Sequence, residues 1–263
     1  MKPHRIWALF SRHLYLYRRS IQRIMEIIYW PVLDLLLWGF ITVYLQRYQE
    51  GLPGFVTFFI GALILWDILF RAQQGVCLSF LEEVWSRNLL NLFVSPLRPA
   101  EFLISTMLIS VMKVLFSATA TVVLAWIFYS YNLFTLGVSL IPFVLNLILM
   151  GWAVGVFTTG LILRYGQQAE VMAWGLVLFF QPFAAVFYPV SVLPPSLQPI
   201  AWMLPASHVF EGMRQVIGTG EFPIRSLAWA FGLNLIYIAL ALLHFYRMFR
   251  IVRRQGLLVK VGE

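Results

Sequence analysis

Six apolar stretches, each long enough to cross a lipid bilayer, constrain this chain more than any other feature. A helix needs about 20 predominantly apolar residues to span the hydrocarbon. The stretches cover 24–45, 55–74, 102–129, 136–163, 171–192 and 226–249. Turn-forming or polar residues separate them, such as Gln49-Glu50-Gly51-Leu52-Pro53-Gly54 and Tyr129-Ser130-Tyr131-Asn132. Backbone polar groups in lipid must be satisfied inside the protein, so each stretch is read as a helix. The fold class that follows is all-α: a polytopic membrane protein with six transmembrane helices, forming a single transmembrane domain over 1–263. Composition agrees. Only 11% of the 263 residues are charged and 61% are hydrophobic, whereas a soluble domain carries about 25% charged residues. A soluble enzyme, a disordered chain and a nucleic-acid-binding module are excluded on that ground.

Charge placement gives an orientation. Six basic residues precede the first stretch: Lys2, Arg5, Arg12, Arg18, Arg19 and Arg23. Arg71, Arg87 and Arg98 follow the second, Arg164 follows the fourth, and Arg247, Arg250, Arg253, Arg254 and Lys260 close the chain. The opposite side holds Arg47, Arg214 and Arg225. Cytoplasmic loops carry the excess of Lys and Arg, so both termini are expected in the cytoplasm, in the inner membrane of a bacterial cell. No secretory signal is read at the N-terminus, because basic residues run up to the first stretch without a cleavage motif. On a helix, Arg5, Arg12, Arg19 and Arg23 share one face, and Ile6, Phe10, His13, Tyr17 and Ile21 occupy the other. That pattern predicts an amphipathic helix over 1–23 lying flat in the membrane interface.

Two connections are more than turns. On the cytoplasmic side, 79–98 places Leu81, Trp85, Leu89 and Leu92 at helical spacing. Glu83, Arg87 and Asn91 form a polar stripe, in which Glu83 and Arg87 can pair. A short surface helix ending at Ser95-Pro96 is expected, its stripe either merely solvated or offered to a partner. On the outside, 193–223 contains Pro194, Pro195, Pro199 and Pro205 together with His208, Glu211 and Arg214. Proline breaks helices, so this stretch is read as a re-entrant, lid-like element or a loop on the headgroups. A last helix is predicted over 207–217, with Glu211 and Arg214 at i, i+3.

Ionisable groups inside apolar stretches cost roughly 2.5–3.5 kcal/mol on insertion scales and tend to face a partner or a wet cavity. Asp34, Asp67 and Lys113 are of this kind. Asp67 and Arg71 lie one turn apart and can pair. Asp34 and Lys113 form a candidate interhelix pair. These charges line a path or gate, or else fix packing as buried pairs. Gly151, Gly155 and Gly160 predict close helix approach in the fourth span. Phe179, Phe180, Phe183 and Phe187 form an aromatic stripe in the fifth, read either as core or as the lining of a path for a lipid-like molecule. The single cysteine, Cys77, excludes an internal disulfide. His208 and His244 stand without a second ligand at metal-binding spacing, so no metal site is expected.

The order of these features resembles the membrane subunit of ABC-2 type exporters, the permease half of ATP-binding-cassette efflux systems. The basic N-terminal helix is similar to that family's connecting helix. Phe80-Leu81-Glu82-Glu83 through Leu92-Phe93-Val94-Ser95-Pro96-Leu97, followed by Glu101, is similar to its coupling segment. Tyr188-Pro189-Val190-Ser191-Val192-Leu193-Pro194, running on to Leu204-Pro205 and Glu211-Gly212-Met213-Arg214, is similar to its outer helices. The resemblance implies that Glu82, Glu83, Arg87 and Asn91 contact a nucleotide-binding ATPase. It implies a second copy of the chain as partner, besides membrane lipids. Asp34, Asp67, Lys113, Phe183, Phe187, His208, Glu211 and Arg214 are then candidates for the path or gate. The chain has no Gly-x-x-x-x-Gly-Lys-[Ser/Thr] loop, so no cofactor is expected on it, and ATP and magnesium would belong to the separate ATPase. An integral membrane enzyme acting on lipids is an alternative, but no nucleophile–base pair is visible. A secondary carrier is another, but no internal repeat is evident between 1–131 and 132–263.

Overall fold

A computed structural model describes residues 1–48 and 55–256. The expected turn at 49–54 and Lys260 lie outside the described residues. Within them the chain is built from ten α-helices, with no strand. Five runs are long and apolar enough to cross a membrane: Ile21–Gln46, Thr57–Trp85, Pro99–Tyr129, Leu133–Phe180 and Ile224–Arg254.

Helix α3 (Phe55–Trp85) is the axis of the bundle. It packs against α2 (Ile21–Tyr48), α5 (Pro99–Tyr129) and α6 (Leu140–Tyr165). Small residues set how close the neighbours come. A Cβ on Gly75 would fall 2.4 Å from the Cα of Ser110 on α5, and one on Gly151 of α6 would fall 2.7 Å from the Leu69 carbonyl oxygen. One on Gly155 would sit 2.9 Å from the Gln73 carbonyl oxygen, and one on Gly160 2.8 Å from the His244 ring. The close approach expected at Gly151, Gly155 and Gly160 is present. α10 (Ile224–Arg254) lies against α6, and a buried amide clasp joins them: Asn234 Nδ2 donates to the Asn146 carbonyl at 3.0 Å and to its Oδ1 at 2.9 Å.

The fifth expected span is not a continuous helix. α7 (Glu170–Phe180) has 11 residues, about 16 Å of helix, short of the roughly 30 Å hydrocarbon core. Gln181-Pro182 ends it, since proline removes a helical donor and disfavours helical geometry in the residue before it. Ala185 then turns the chain with φ of 51°. Even so, the segment keeps pace with α3. Gln73 Nε2 donates to the Ala173 carbonyl at 3.1 Å, and Phe187 stacks on Phe59 with ring centroids 4.8 Å apart. Fourteen residues separate the contact points on each strand of chain.

One further expectation needs correction. The segment 79–98 is not one amphipathic helix. Residues 79–85 continue α3, the helix breaks at 86–88 where Arg87 has φ of 54°, and a separate short α4 covers Leu89–Val94. α1 (Pro3–Arg18) runs lengthwise beside α5. The Lys2 backbone N–H donates to Glu101 at 2.8 Å, and the Tyr17 ring lies 4.7 Å from Lys113 Nζ. The two contacts are about 22 Å apart along α1 and about 18 Å apart along α5. Its buried side chains are Leu9, His13 and Tyr17, while Ile21 is 80% exposed.

The proline-rich segment forms α8 (Gln198–Trp202) and α9 (Pro205–Thr219). Pro199 and Pro205 sit in first turns, where the missing N–H would be unpaired anyway. α9 contains the helix expected over 207–217. It packs against α10 and α6, burying Val209, Phe210 and Met213.

Candidate functional site

A cavity of about 450 Å³ opens between α2, α3 and residues 178–188. Its aromatic wall comprises Trp30, Trp38, Trp66, Phe70, Phe187 and Tyr188, and its polar groups include Asp34, Asp67 and Arg71. Asp67 and Arg71 form the expected pair, with Arg71 Nε 3.2 Å from Asp67 Oδ1. Ser117 Oγ donates to Asp67 Oδ2 at 2.6 Å, and Arg71 Nη1 donates to Gln74 Oε1 at 3.1 Å. The arginine and carboxylate are therefore mutually satisfied. Asp34 is different: it is exposed on α2, within electrostatic reach of Asp67 and Arg71, and holds no hydrogen bond or ion pair among the described residues.

The expected Asp34–Lys113 pair does not form. The antiparallel register of α3 and α5 puts Ser117 opposite Asp67, so Lys113 lies one turn nearer the α4 end. There it faces the Tyr17 ring and shares a small cavity with Glu26 and Glu82. Phe187 lines the large cavity. Phe183 does not; it packs against Phe179 at 5.5 Å, and its carbonyl accepts from Ser207 Oγ at 3.3 Å.

At the α4 end, three glutamates meet three arginines of the N-terminal segment. Glu83 is buried. It accepts from both terminal nitrogens of Arg12, at 2.7 and 3.1 Å, and from Asn88 Nδ2 at 2.6 Å. Glu82 accepts from the Tyr17 hydroxyl at 3.2 Å and lies 3.4 Å from Arg23 Nη1. Glu101 accepts from the backbone N–H of Lys2 and of Arg98, at 2.8 and 2.9 Å, and lies 3.7 Å from Arg5. Arg5 also donates to the Pro96 carbonyl. Burial holds His13 below its usual range, outweighing the raising effect of Glu83 and Glu82, so its ring is neutral at pH 7. Burial, reinforced by Glu82, pushes the Tyr17 phenol up and keeps it a donor. Of the four expected ATPase-contact residues, Arg87 and Asn91 are exposed. Glu83 is turned inward and Glu82 is largely covered. The expected Glu83–Arg87 pair is absent, because the helix ends between them and Arg12 holds the carboxylate.

At the opposite end, Arg214 acts as a hook. Its Nη2 donates to the carbonyls of Ala185, Val186 and Tyr188, at 2.6, 3.2 and 2.7 Å. Its guanidinium lies 4.4 Å from the Phe58 ring centroid. Glu211 pairs with it at 3.3 Å, as the i, i+3 spacing predicts, and accepts from the Val190 N–H at 2.6 Å. His208 Nε2 lies 2.9 Å from the Trp202 carbonyl oxygen, and burial lowers its pKa. No group of three His, Cys, Asp or Glu side chains suited to a metal ion occurs among the described residues.

Sequence reasoning missed Arg5, Arg12 and Arg23 as partners of Glu101, Glu83 and Glu82. The signal was present as a helix rich in arginine without a single acid, and a stretch, 82–101, holding three glutamates. Ser117 and Trp66 carried no signal of their own.

A family model described as an ABC-2 family transporter protein matches residues 36–247. No curated protein matches the chain. The match spans most of the chain, from the middle of α2 into α10, and includes the α3 and 178–188 walls of the cavity, α4 and the Arg214 hook, while Trp30, Pro31, Asp34 and Leu35 of the cavity precede it. The chain therefore belongs to the ABC-2 transporter family, as a multi-pass membrane component of an ATP-binding-cassette transporter.

Proposed function

We propose that the chain is the permease half of an exporter, pairing with a second copy of itself and with a separate nucleotide-binding ATPase that holds ATP and magnesium. Its cargo is amphiphilic, lipid-linked or drug-like and leaves across the inner membrane, with both termini of the permease cytoplasmic. One observation carries the reading. Asp67 and Arg71 on the cavity wall and Glu82 and Glu83 at the α4 end lie on a single uninterrupted helix of 31 residues. A load on α4 crosses the turn at 86–88 and from Trp85 onward reaches the cavity through one continuous helix. The exposed rim of Arg87, Asn91 and Val94 is the surface offered to the ATPase. Glu83 and Glu82 tie α3 to α1 through Arg12 and Tyr17, and Glu101 ties α5 to α1 through Lys2, so that α1, α3 and α5 move together. Such coupling requires two arrangements of the subunits with different affinities for ATP.

The proposal counts six passages. α7 with 181–187 is counted as a passage of its own, the fifth in chain order, because it follows α3 from Gln73 to Phe59. The basic residues near α1, α4 and the end of α10 support a cytoplasmic placement of that end of the bundle. The test is affinity capture of the full chain from its own membranes, followed by ATP-hydrolysis and vesicle-transport measurements. A phosphate-loop ATPase is expected in the capture, and Arg87→Glu with Asn91→Glu should release it. Transport at full rate by the chain alone overturns the reading.

A further inference from the structure

We infer that the cavity between α2, α3 and residues 178–188 selects hydrophobic organic cations, with Asp34 as the charge-recognising group. The inference rests on the exporter reading and narrows its substrate class.

Charge balance comes first. Asp67 and Arg71 neutralise each other and are both hydrogen-bonded. Asp34 is the remaining formal charge on the wall, and it has no partner among the described residues. The cavity therefore carries one uncompensated negative charge inside an apolar run of the chain, the window Ile21–Gln46. Ionisable groups at that depth mark pathways and counter-ion sites.

The walls point the same way. Trp30, Trp38, Trp66 and Phe187 line the same cavity as the carboxylate, and a desolvated cation is attracted to aromatic faces, most of all to tryptophan. Lone anionic groups gain nothing from aromatic faces and are repelled by Asp34. The volume, about 450 Å³, falls within the roughly 300–1,000 Å³ typical of small-molecule sites. Trp30 and Trp38 are exposed on α2, so the cavity opens sideways along that helix, where an amphiphile dissolved in the bilayer arrives. A delocalised cation carried on apolar groups matches each of these features.

The test uses the full chain in lipid nanodiscs and two probes of nearly the same shape and opposite charge, tetraphenylphosphonium and tetraphenylborate. Uptake by empty nanodiscs is subtracted. Saturable binding of the phosphonium is expected, with no displacement by the borate. Asp34→Asn should weaken phosphonium binding at least tenfold, and Asp34→Glu should restore most of it. Asp34 is exposed and outside every ion pair, so neither variant disturbs the packing. Equal phosphonium affinity in wild type and Asp34→Asn, equal saturable binding of the borate, or no saturable binding at all overturns the inference. Each of those results leaves the exporter reading standing if the phosphate-loop ATPase still co-purifies, and loss of that ATPase from the wild-type capture overturns the exporter reading instead.

Discussion

The Arg12–Glu83 clasp yields a prediction in which the two partners are not equivalent. Glu83 is almost fully buried, with 2% of its side chain exposed, whereas 40% of the Arg12 side chain is exposed. Removing one member of a buried pair costs about 3–5 kcal/mol when the charge left behind stays out of water. Removing one member of an exposed pair costs about 1 kcal/mol or less. Arg12→Ala strands Glu83 indoors with only Asn88 and a neutral His13 beside it, so about 3 kcal/mol of α1 docking is expected to go. Glu83→Gln strands Arg12, whose head can turn to water, and about 1.5 kcal/mol is expected, the lower end for hydrogen bonds to charged groups. The double variant should cost less than the sum by about 1.5 kcal/mol, since the pair term is lost only once.

The readout is local, because global unfolding of a membrane protein is rarely two-state. Amide hydrogen exchange across α1, in nanodiscs, reports its opening free energy. Arg12→Ala should lower protection of residues 3–18 by roughly 150-fold and Glu83→Gln by roughly tenfold, as those energies convert at 1.4 kcal/mol per decade. A larger loss in Glu83→Gln than in Arg12→Ala, or additivity within about 0.3 kcal/mol, refutes the reasoning. Either result would mean that Leu9 and Tyr17 dock α1 without help from the ion pair.

Three further outcomes follow from the same structure. Gly75→Ala should separate α3 from α5 and sharply reduce folded yield on size-exclusion chromatography, because the new Cβ meets the Ser110 backbone at 2.4 Å; Gly218→Ala, with open space around it, should not. Docking of α1 should weaken as pH falls below the ordinary histidine value of 6.5, since burial depresses the docked pKa of His13 and only the undocked ring gains a proton in that window. Glu83 and Glu82 of α3, Arg12 of α1 and Lys113 of α5 face the ring, and hydrogen exchange of α1, corrected for intrinsic rate, should show the loss at pH 5.5 and not in His13→Leu. Arg214→Lys should cost about 2 kcal/mol in stability of the outer element, because a single ammonium nitrogen cannot meet the carbonyls of 185–188 and Glu211 at once, as Nη2 and Nη1 do; protease sensitivity of 181–197 rising above that of wild type checks it.

Periodicity and length made the helices legible, and the i, i+3 and i, i+4 pairs of Glu211–Arg214 and Asp67–Arg71 were legible because both partners ride one helix. Register between helices was not. Nothing in the local pattern says that Ser117 rather than Lys113 stands opposite Asp67, and the misplaced Asp34–Lys113 pair follows from that gap. The same gap hid the clasp: Arg12 and Glu83 are 71 residues apart. The fifth stretch misled for another reason. Its hydropathy is that of a span, but Pro182 and Pro189 deny it the backbone bonds of one, and neighbours rather than its own helix must satisfy the carbonyls of 185–188. Arg214 does so, which is why a cation stands on a buried turn at the end of an apolar bundle.

That pattern extends to the acids. Lipid makes an unpaired carboxylate expensive, so a chain with 11 acidic residues in 263 should place each with a reason. Glu82, Glu83, Glu101, Asp67 and Glu211 each hold an arginine. Glu26 shares a small cavity with Lys113. Glu170 accepts from the Trp85 indole at 3.3 Å, and Glu221 is exposed in the link before α10. Asp34 fits none of these cases. It stands in the middle of an apolar run, beside an ion pair that is already complete, in a cavity lined by aromatic side chains. A partner that arrives from outside the chain satisfies the same rule that the other carboxylates satisfy from within, and it must be a cation.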